Sequence, residues 1–126
     1  MPIIAPRFHG LLDYAVALTL VTAPIALDFG SISLAAFVIP LVAGLGLAGY
    51  SLVTDYSAGV RRLLPWRAHL ALDAIAGVFL VTAPFAFAFG GLPRGFLIAV
   101  GVADLLVVAL SDRMAESTGS DLVGER

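Results

Sequence analysis

Four long apolar stretches divide this chain, and short polar stretches separate them. They cover approximately 8–28, 32–53, 67–89 and 94–112. Each is long enough to cross a bilayer as a helix, which takes about 20 residues. None alternates apolar and polar positions as a half-buried strand does. Because lipid admits only helices and closed barrels, the pattern predicts an all-α bundle of four transmembrane helices.

The first half of the pattern recurs in the second half. Residues 7–30 and 67–90 are identical at 12 of 24 positions without a gap, whereas 31–52 and 91–112 match at 4 of 22. This predicts a tandem duplication of a helical hairpin, with repeat 1 at about 7–60 and repeat 2 at about 67–112, inside one transmembrane domain, 1–112. Two spans per repeat give parallel repeats, related by a pseudo-twofold axis along the membrane normal. The polar tail, 113–126, is predicted to be disordered.

Composition supports a membrane location. The chain is 60% hydrophobic and 13% charged, with a mean hydropathy of +1.03, which is more apolar surface than a small globule can bury. The lipid bilayer is therefore its expected partner. There is no basic stripe with interleaved aromatic residues, so nucleic acid is not expected as a partner. The absence of cysteine excludes disulfides and thiolate metal sites.

The arginines predict the orientation of the spans. All seven basic residues are arginine, and Arg94 lies alone on one side of the predicted membrane. The arginines of the other side are Arg7, Arg61, Arg62, Arg67 and Arg113. By the positive-inside rule, both termini and the central loop are predicted to be cytoplasmic.

Two copies of a His-x-x-x-Asp motif are the strongest candidate site. His9 and Asp13 share a helix face, as do His69 and Asp73, and both pairs lie at the same predicted depth. If the first helices of the two repeats pack near the pseudo-twofold axis, the pairs face each other. Two histidines and two aspartates in a bundle can hold a divalent transition metal such as zinc, iron or manganese. Whether another cofactor binds is left open.

Two other interpretations of these pairs stay open. Each aspartate can orient its own histidine, and the pair can satisfy itself while it holds Arg7 or Arg67. The pairs would then only fix helix packing. They can also belong to a proton or ion pathway.

Asp104 is a further candidate, because a carboxylate inside a membrane span is costly and suggests function. It lies in the fourth span, at the predicted level of Asp13 and Asp73, and its counterpart in the first repeat is Gly44. The structural alternative is a protonated Asp104 that hydrogen-bonds His69 or a helix carbonyl.

The central loop contains a mixed-charge group. It consists of Asp55, Tyr56, Arg61 and Arg62. We expect a loop salt bridge here, with contact to lipid headgroups or to a cytosolic partner as the alternative.

Prolines and glycines within the spans predict helix shape. Pro24, Pro40 and Pro84 are expected to kink or end their helices, with Thr22 and Thr82 satisfying the carbonyls thus freed. A small-residue face, with Gly44, Gly46, Ala48 and Gly49, predicts close helix packing within the chain or between copies.

Several segments together resemble a known family. "FHGLLDY", "LVTAPIALDFG", "YSLVTDYSAGVRRLLP", "HLALD" and "LVTAPFAFAFG" resemble the SPW-repeat integral membrane proteins of bacteria. The name-giving Ser-Pro-Trp is Thr-Ala-Pro in both repeats, and Ile25 and Phe85 stand where the family has tryptophan. The resemblance implies a multi-pass protein of a prokaryotic plasma membrane, and it implies no particular activity.

Three functions follow as hypotheses. The first is a structural or accessory membrane protein that self-associates or binds another membrane protein. The second is a metal-binding membrane protein that uses the paired motifs. The third is a small oligomeric transporter or channel for protons or ions. No catalytic motif appears, no catalytic residue is predicted, and the pattern favours a protein that is not an enzyme.

Overall fold

The chain folds into four helices joined by short connections. The computed structural model describes residues 4–55, 59–61 and 63–111. The helices are α1 (Pro6–Ala26), α2 (Leu34–Leu52), α3 (Trp66–Ala86) and α4 (Gly91–Leu110). Within the described ranges there is no strand, only two isolated bridges. The predicted all-α class is confirmed, and the predicted tail lies outside the described residues.

Each helix is long and apolar enough to cross a membrane. The lengths are 19 to 21 residues, which correspond to about 30 Å at 1.5 Å per residue. The outward faces carry large apolar side chains, and Leu11, Leu34 and Ile75 are 67%, 76% and 67% exposed. A surface of this kind fits a lipid environment rather than water, so the chain has the form of a multi-pass membrane protein.

Local sequence explains where the helices begin. Pro6 occupies the first turn of α1, where its missing N–H costs nothing. The Ser33 side chain accepts a hydrogen bond from the backbone N–H of Ala36 at 2.9 Å and caps α2. Pro93 likewise lies in the first turn of α4, which begins at Gly91 rather than near residue 94 as the hydrophobic pattern predicts.

The internal prolines do not end their helices. Pro24, Pro40 and Pro84 all lie within α-helices that continue past them. The expected role of the threonines is wrong. Thr22 donates to the carbonyl of Leu18 at 2.8 Å, whereas Pro24 frees the carbonyl four residues before itself. Thr82 also bonds carbonyls three and four residues earlier than itself.

The turns after α1 and α3 share one backbone feature. Asp28 and Ala88, sixty positions apart, are the two non-glycine residues with positive φ in the described chain, at 53° and 54°. The phenylalanine after each of them, Phe29 or Phe89, is buried. The connections differ otherwise, because the first includes a short 3-10 helix (Phe29–Ser31), whereas α4 begins directly after Gly90. The duplication itself remains a prediction.

Two close backbone contacts hold the hairpins together. α1 packs against α2, and α3 packs against α4. A Cβ atom on Gly44 would lie 2.9 Å from the carbonyl oxygen of Ala17, and one on Gly101 would lie 2.8 Å from that of Gly77. Glycine at these two positions therefore permits the helices to touch.

The predicted small-residue face is used only in part. Gly44 lies in the contact with α1, but an added Cβ on Gly46 or Gly49 would meet nothing within 4 Å. Gly46 instead lines an apolar groove between α2 and α3, and Gly49 is exposed.

The bundle interior is divided by polarity. We name the end where α1 and α3 begin the site end, and the opposite end, with the two hairpin turns, the turn end. Apolar side chains fill the core of the turn end: Leu20, Phe29, Ala36, Leu80, Phe89 and Leu97. The buried histidines and aspartates all lie toward the site end.

Candidate metal centre

Four buried polar side chains meet between the two hairpins. His9 and Asp13 lie on the first two turns of α1, and His69 and Asp73 occupy the same places on α3. All four are at most 2% exposed. From the helix rise, they lie about 5 to 10 Å along the axis from the helix starts.

These side chains are paired crosswise between the hairpins. The Nε2 atom of His9 lies 2.7 Å from Asp73 Oδ2, and that of His69 lies 2.8 Å from Asp13 Oδ2. The aspartate on the same helix is slightly farther from each Nε2, at 3.2 Å and 3.1 Å. One ligand atom from each of the four residues falls within 4.8 Å of all the others. We call this group the tetrad.

Two hydroxyl groups hold the other side of the imidazole rings. The Nδ1 atom of His9 lies 2.6 Å from Ser111 Oγ, and that of His69 lies 2.7 Å from Thr54 Oγ1. Each hydroxyl donates its proton to the carbonyl four residues earlier in its own chain segment, at 2.5 Å and 2.6 Å. Because a hydroxyl has one proton, each accepts a hydrogen bond from the Nδ1–H.

Because both Nδ1 atoms carry a proton, a metal ion can replace only the protons on the Nε2 and carboxylate side of the tetrad. Each Nε2 faces a carboxylate oxygen at hydrogen-bond distance. The lone pair of the nitrogen and that of the oxygen would repel each other at this distance, so a proton must lie between the two atoms. The tetrad therefore holds two protons between its nitrogen and oxygen atoms and is neutral overall. One divalent cation can replace both protons with no change in net charge.

Aromatic side chains enclose the tetrad. Trp66 stacks on the His69 ring at 5.6 Å between centroids and 19° between planes, and its edge-to-face contact with His9 is at 4.9 Å. The Tyr50 hydroxyl donates a hydrogen bond to Asp73 Oδ1. Trp66 is fully buried and precedes His69 by three residues, so it lies on the site-end side of that ring.

Sequence reasoning missed these four supporting residues. They are Tyr50, Thr54, Trp66 and Ser111. The one signal for Trp66 was its place one helical turn before His69. Tyr50, Thr54 and Ser111 lie at or just after the ends of α2 and α4. Their distances from the histidines depend on how the helices pack, which the sequence does not specify.

Asp104 lies beside the tetrad without joining its hydrogen bonds. It is 6% exposed and within electrostatic range of all four tetrad residues, most strongly of Asp73 and Asp13. Among the described residues it makes no hydrogen bond or ion pair. The expected hydrogen bond to His69 is not formed, because the ring nitrogens of His69 face Asp13 and Thr54.

Half of the predicted loop group lies outside the described residues, namely Tyr56 and Arg62. The backbone N–H of Asp55 donates to the Leu64 carbonyl at 2.8 Å, and Arg61 is exposed. Neither residue belongs to the tetrad.

Comparison of the chain with protein-family models, with curated proteins and with solved structures finds no match.

Proposed function

We propose that this chain is a multi-pass membrane protein that binds one divalent transition-metal ion between its two hairpins. The ligands are Nε2 of His9 and His69 and one carboxylate oxygen each from Asp13 and Asp73. One observation carries the proposal: four buried donor atoms converge while both Nδ1–H groups are held by hydroxyls. Histidines that ligate metals characteristically donate their other ring N–H in this way.

The donor chemistry narrows the choice of ion. Imidazole and carboxylate ligands suit zinc, iron and manganese, and the tetrad offers no soft sulfur ligand that would favour copper(I). A four-donor set fits tetrahedral zinc and leaves positions open on ions of higher coordination number. Two neutral imidazoles with two carboxylates balance the charge of a divalent ion, so the ion would add no net charge to the bundle interior.

The distribution of polar groups favours a binding site over a conduit. Beyond the tetrad, the described core of the turn end consists of apolar side chains that are at most 3% exposed. A route for ions across the bilayer needs polar or water-lined surface along its whole length. In the part of the chain that is described, the buried polar side chains all lie toward the site end.

We also propose the membrane and orientation. The motif resemblance and the arginine distribution support a prokaryotic plasma membrane with the site end facing the cytoplasm. The tetrad would then load from the cytosolic metal pool, and Trp66 would cover it on that side.

The decisive experiment is metal analysis of protein purified in detergent. Cells would be grown with added zinc, iron and manganese, and the metal content measured by mass spectrometry. We expect about one transition-metal ion per chain in the unmodified protein, and none in the His9→Ala/His69→Ala double variant, because two of four ligands are lost. Asp28→Asn is the matched control, since Asp28 is exposed in the turn after α1.

A second variant protects this test from misfolding. Asp13→Asn/Asp73→Asn keeps side-chain size but removes both anionic ligands, so it too should contain no metal. If the unmodified protein binds no metal even after addition of each ion to chelator-treated protein, the proposal is wrong. The role of the tetrad would then be to stabilise the packing of the helices.

The hydroxyl partners give a finer prediction. Thr54→Val and Ser111→Ala should each weaken metal affinity about 10- to 100-fold, as loss of such ligand-orienting groups typically does. Affinity can be measured by competition with a chelator, with fluorescence of Trp66 as the signal, because it is the one tryptophan in the chain.

Ser51→Ala is the matched control for this series. Ser51 is a buried serine at the end of α2 whose hydroxyl has no hydrogen-bond partner among the described residues. Its removal should leave the affinity unchanged. Equal affinities across all three variants would show that the hydroxyls do not orient the ligands.

A further inference from the structure

Asp104 is a buried carboxylate that the proposed metal site does not use. It is more than nine-tenths buried, has no hydrogen bond or ion pair in the described chain, and lies within electrostatic range of the tetrad. A carboxylate kept inside a membrane span without a partner is costly. A positive charge held by the tetrad in the loaded protein would compensate it.

We propose that Asp104 adapts the site to redox-active iron, by supplying a third negative charge that stabilises Fe³⁺ relative to Fe²⁺. This inference rests on the proposed metal site. Asp104 is not assigned as a ligand. It acts through its charge, at a distance from the ion, in a low-dielectric interior where such effects are large.

Charge balance carries the argument. With both imidazoles neutral, Asp13, Asp73 and Asp104 together contribute three negative charges. A divalent ion compensates two of them and a trivalent ion compensates all three. Zinc has no redox chemistry and stays divalent, whereas iron suits the same imidazole and carboxylate donors and is stable in both states.

The asymmetry of the bundle strengthens this argument. Gly44 makes the contacts with α1 that Gly101 makes with α3, so the counterpart of Asp104 in the first hairpin is Leu47, three residues further along, and not Gly44 as the sequence offset predicts. Leu47 is buried and apolar. The site therefore has one added carboxylate and not two, and one added charge is the difference between Fe²⁺ and Fe³⁺.

The test is a redox titration of iron-loaded protein. Iron is added as Fe²⁺ without oxygen, and one electron is removed from each ion by ferricyanide and returned by dithionite, while the electron paramagnetic resonance signal of Fe³⁺ is followed. Asp104→Asn should raise the midpoint potential by at least 59 mV. That shift equals a tenfold loss in the preference for Fe³⁺ over Fe²⁺.

Three comparisons make the result decisive. Asp104→Leu should shift the potential in the same direction, and Asp104→Glu, which keeps the charge, should stay close to the unmodified protein. Asp28→Asn, which removes a carboxylate at the turn end, should not change the potential. If Asp104→Asn and Asp104→Leu bind iron with an unchanged potential, the inference is wrong although the metal site stands. If the unmodified protein binds no metal, the proposed function itself fails.

Discussion

Replacing Asp73 with alanine is expected to destabilise the metal-free bundle by about 3–5 kcal/mol, the usual cost of removing one partner of a buried charged pair. Asp73 contacts the Nε2 atoms of both histidines and accepts the hydrogen bond of the Tyr50 hydroxyl. Its loss leaves the buried His9 and the half-buried Tyr50 with polar atoms that have lost a partner.

Replacing Asp104 with leucine is expected to change the stability in the opposite direction. Asp104 has no hydrogen bond to lose in the described chain, and it repels Asp73 and Asp13. An apolar side chain at this depth removes a cost of about 2 kcal/mol or more, so the metal-free protein should become more stable. Substitution of Asp73 would thus lower the stability of the metal-free protein, whereas substitution of Asp104 would raise it.

Unfolding of chelator-treated protein in mixed micelles, followed by circular dichroism, measures both changes. The signs are the critical result. A loss of stability in Asp104→Leu comparable to that in Asp73→Ala would mean that Asp104 has a structural partner. A gain of stability in Asp104→Leu would show that the chain retains Asp104 at the expense of stability, as proteins often do with functional residues.

Gly101→Leu is expected to separate α3 from α4 and to destabilise the protein by about 3 kcal/mol or more, at the upper end for overpacked cores. The new Cβ would lie 2.8 Å from the backbone oxygen of Gly77 and 2.8 Å from a methyl group of Val81. Backbone atoms cannot move aside as a flexible side chain can. Both helices must therefore shift.

Gly95→Leu is the matched control for this substitution. Gly95 lies on the same helix, and an added Cβ there meets nothing within 4 Å. The same unfolding assay should show a change of about 0.5 kcal/mol or less. Equal effects at both positions would show that loss of glycine, rather than the close contact with α3, determines stability.

The sequence was sufficient to predict the fold class and the four spans. Continuous apolar runs of span length leave few alternatives in lipid. The equal position of the two motifs along the helix axes was also predictable, because His9 and His69 follow the starts of their helices by the same number of residues. The juxtaposition of the two motifs needed one further assumption, that the repeats are related by an axis along the membrane normal.

Other features depended on tertiary packing and could not be predicted. Ser111 binds His9, and the sixty-residue offset would assign Ser51 to His69. Thr54 takes that place instead, because the connection before α4 (87–90) is three residues shorter than the connection before α2 (27–33), so Thr54 and not Ser51 is the counterpart of Ser111. The structural alternative for Asp104, a hydrogen bond to His69, is not formed, since the ring nitrogens of His69 face Asp13 on α1 and Thr54 in the segment after α2.

The crosswise pairing of the tetrad has a consequence for biosynthesis. His9 and its hydroxyl partner, Ser111, are 102 positions apart, so α1 enters the membrane long before its histidine can be satisfied. A hairpin alone contains half of the ligands and cannot close the site. Metal capture would therefore report that all four helices have been inserted and docked. A chain stalled after its first hairpin would carry a histidine and an aspartate that lack their partners from the second hairpin, which quality-control proteases can recognise.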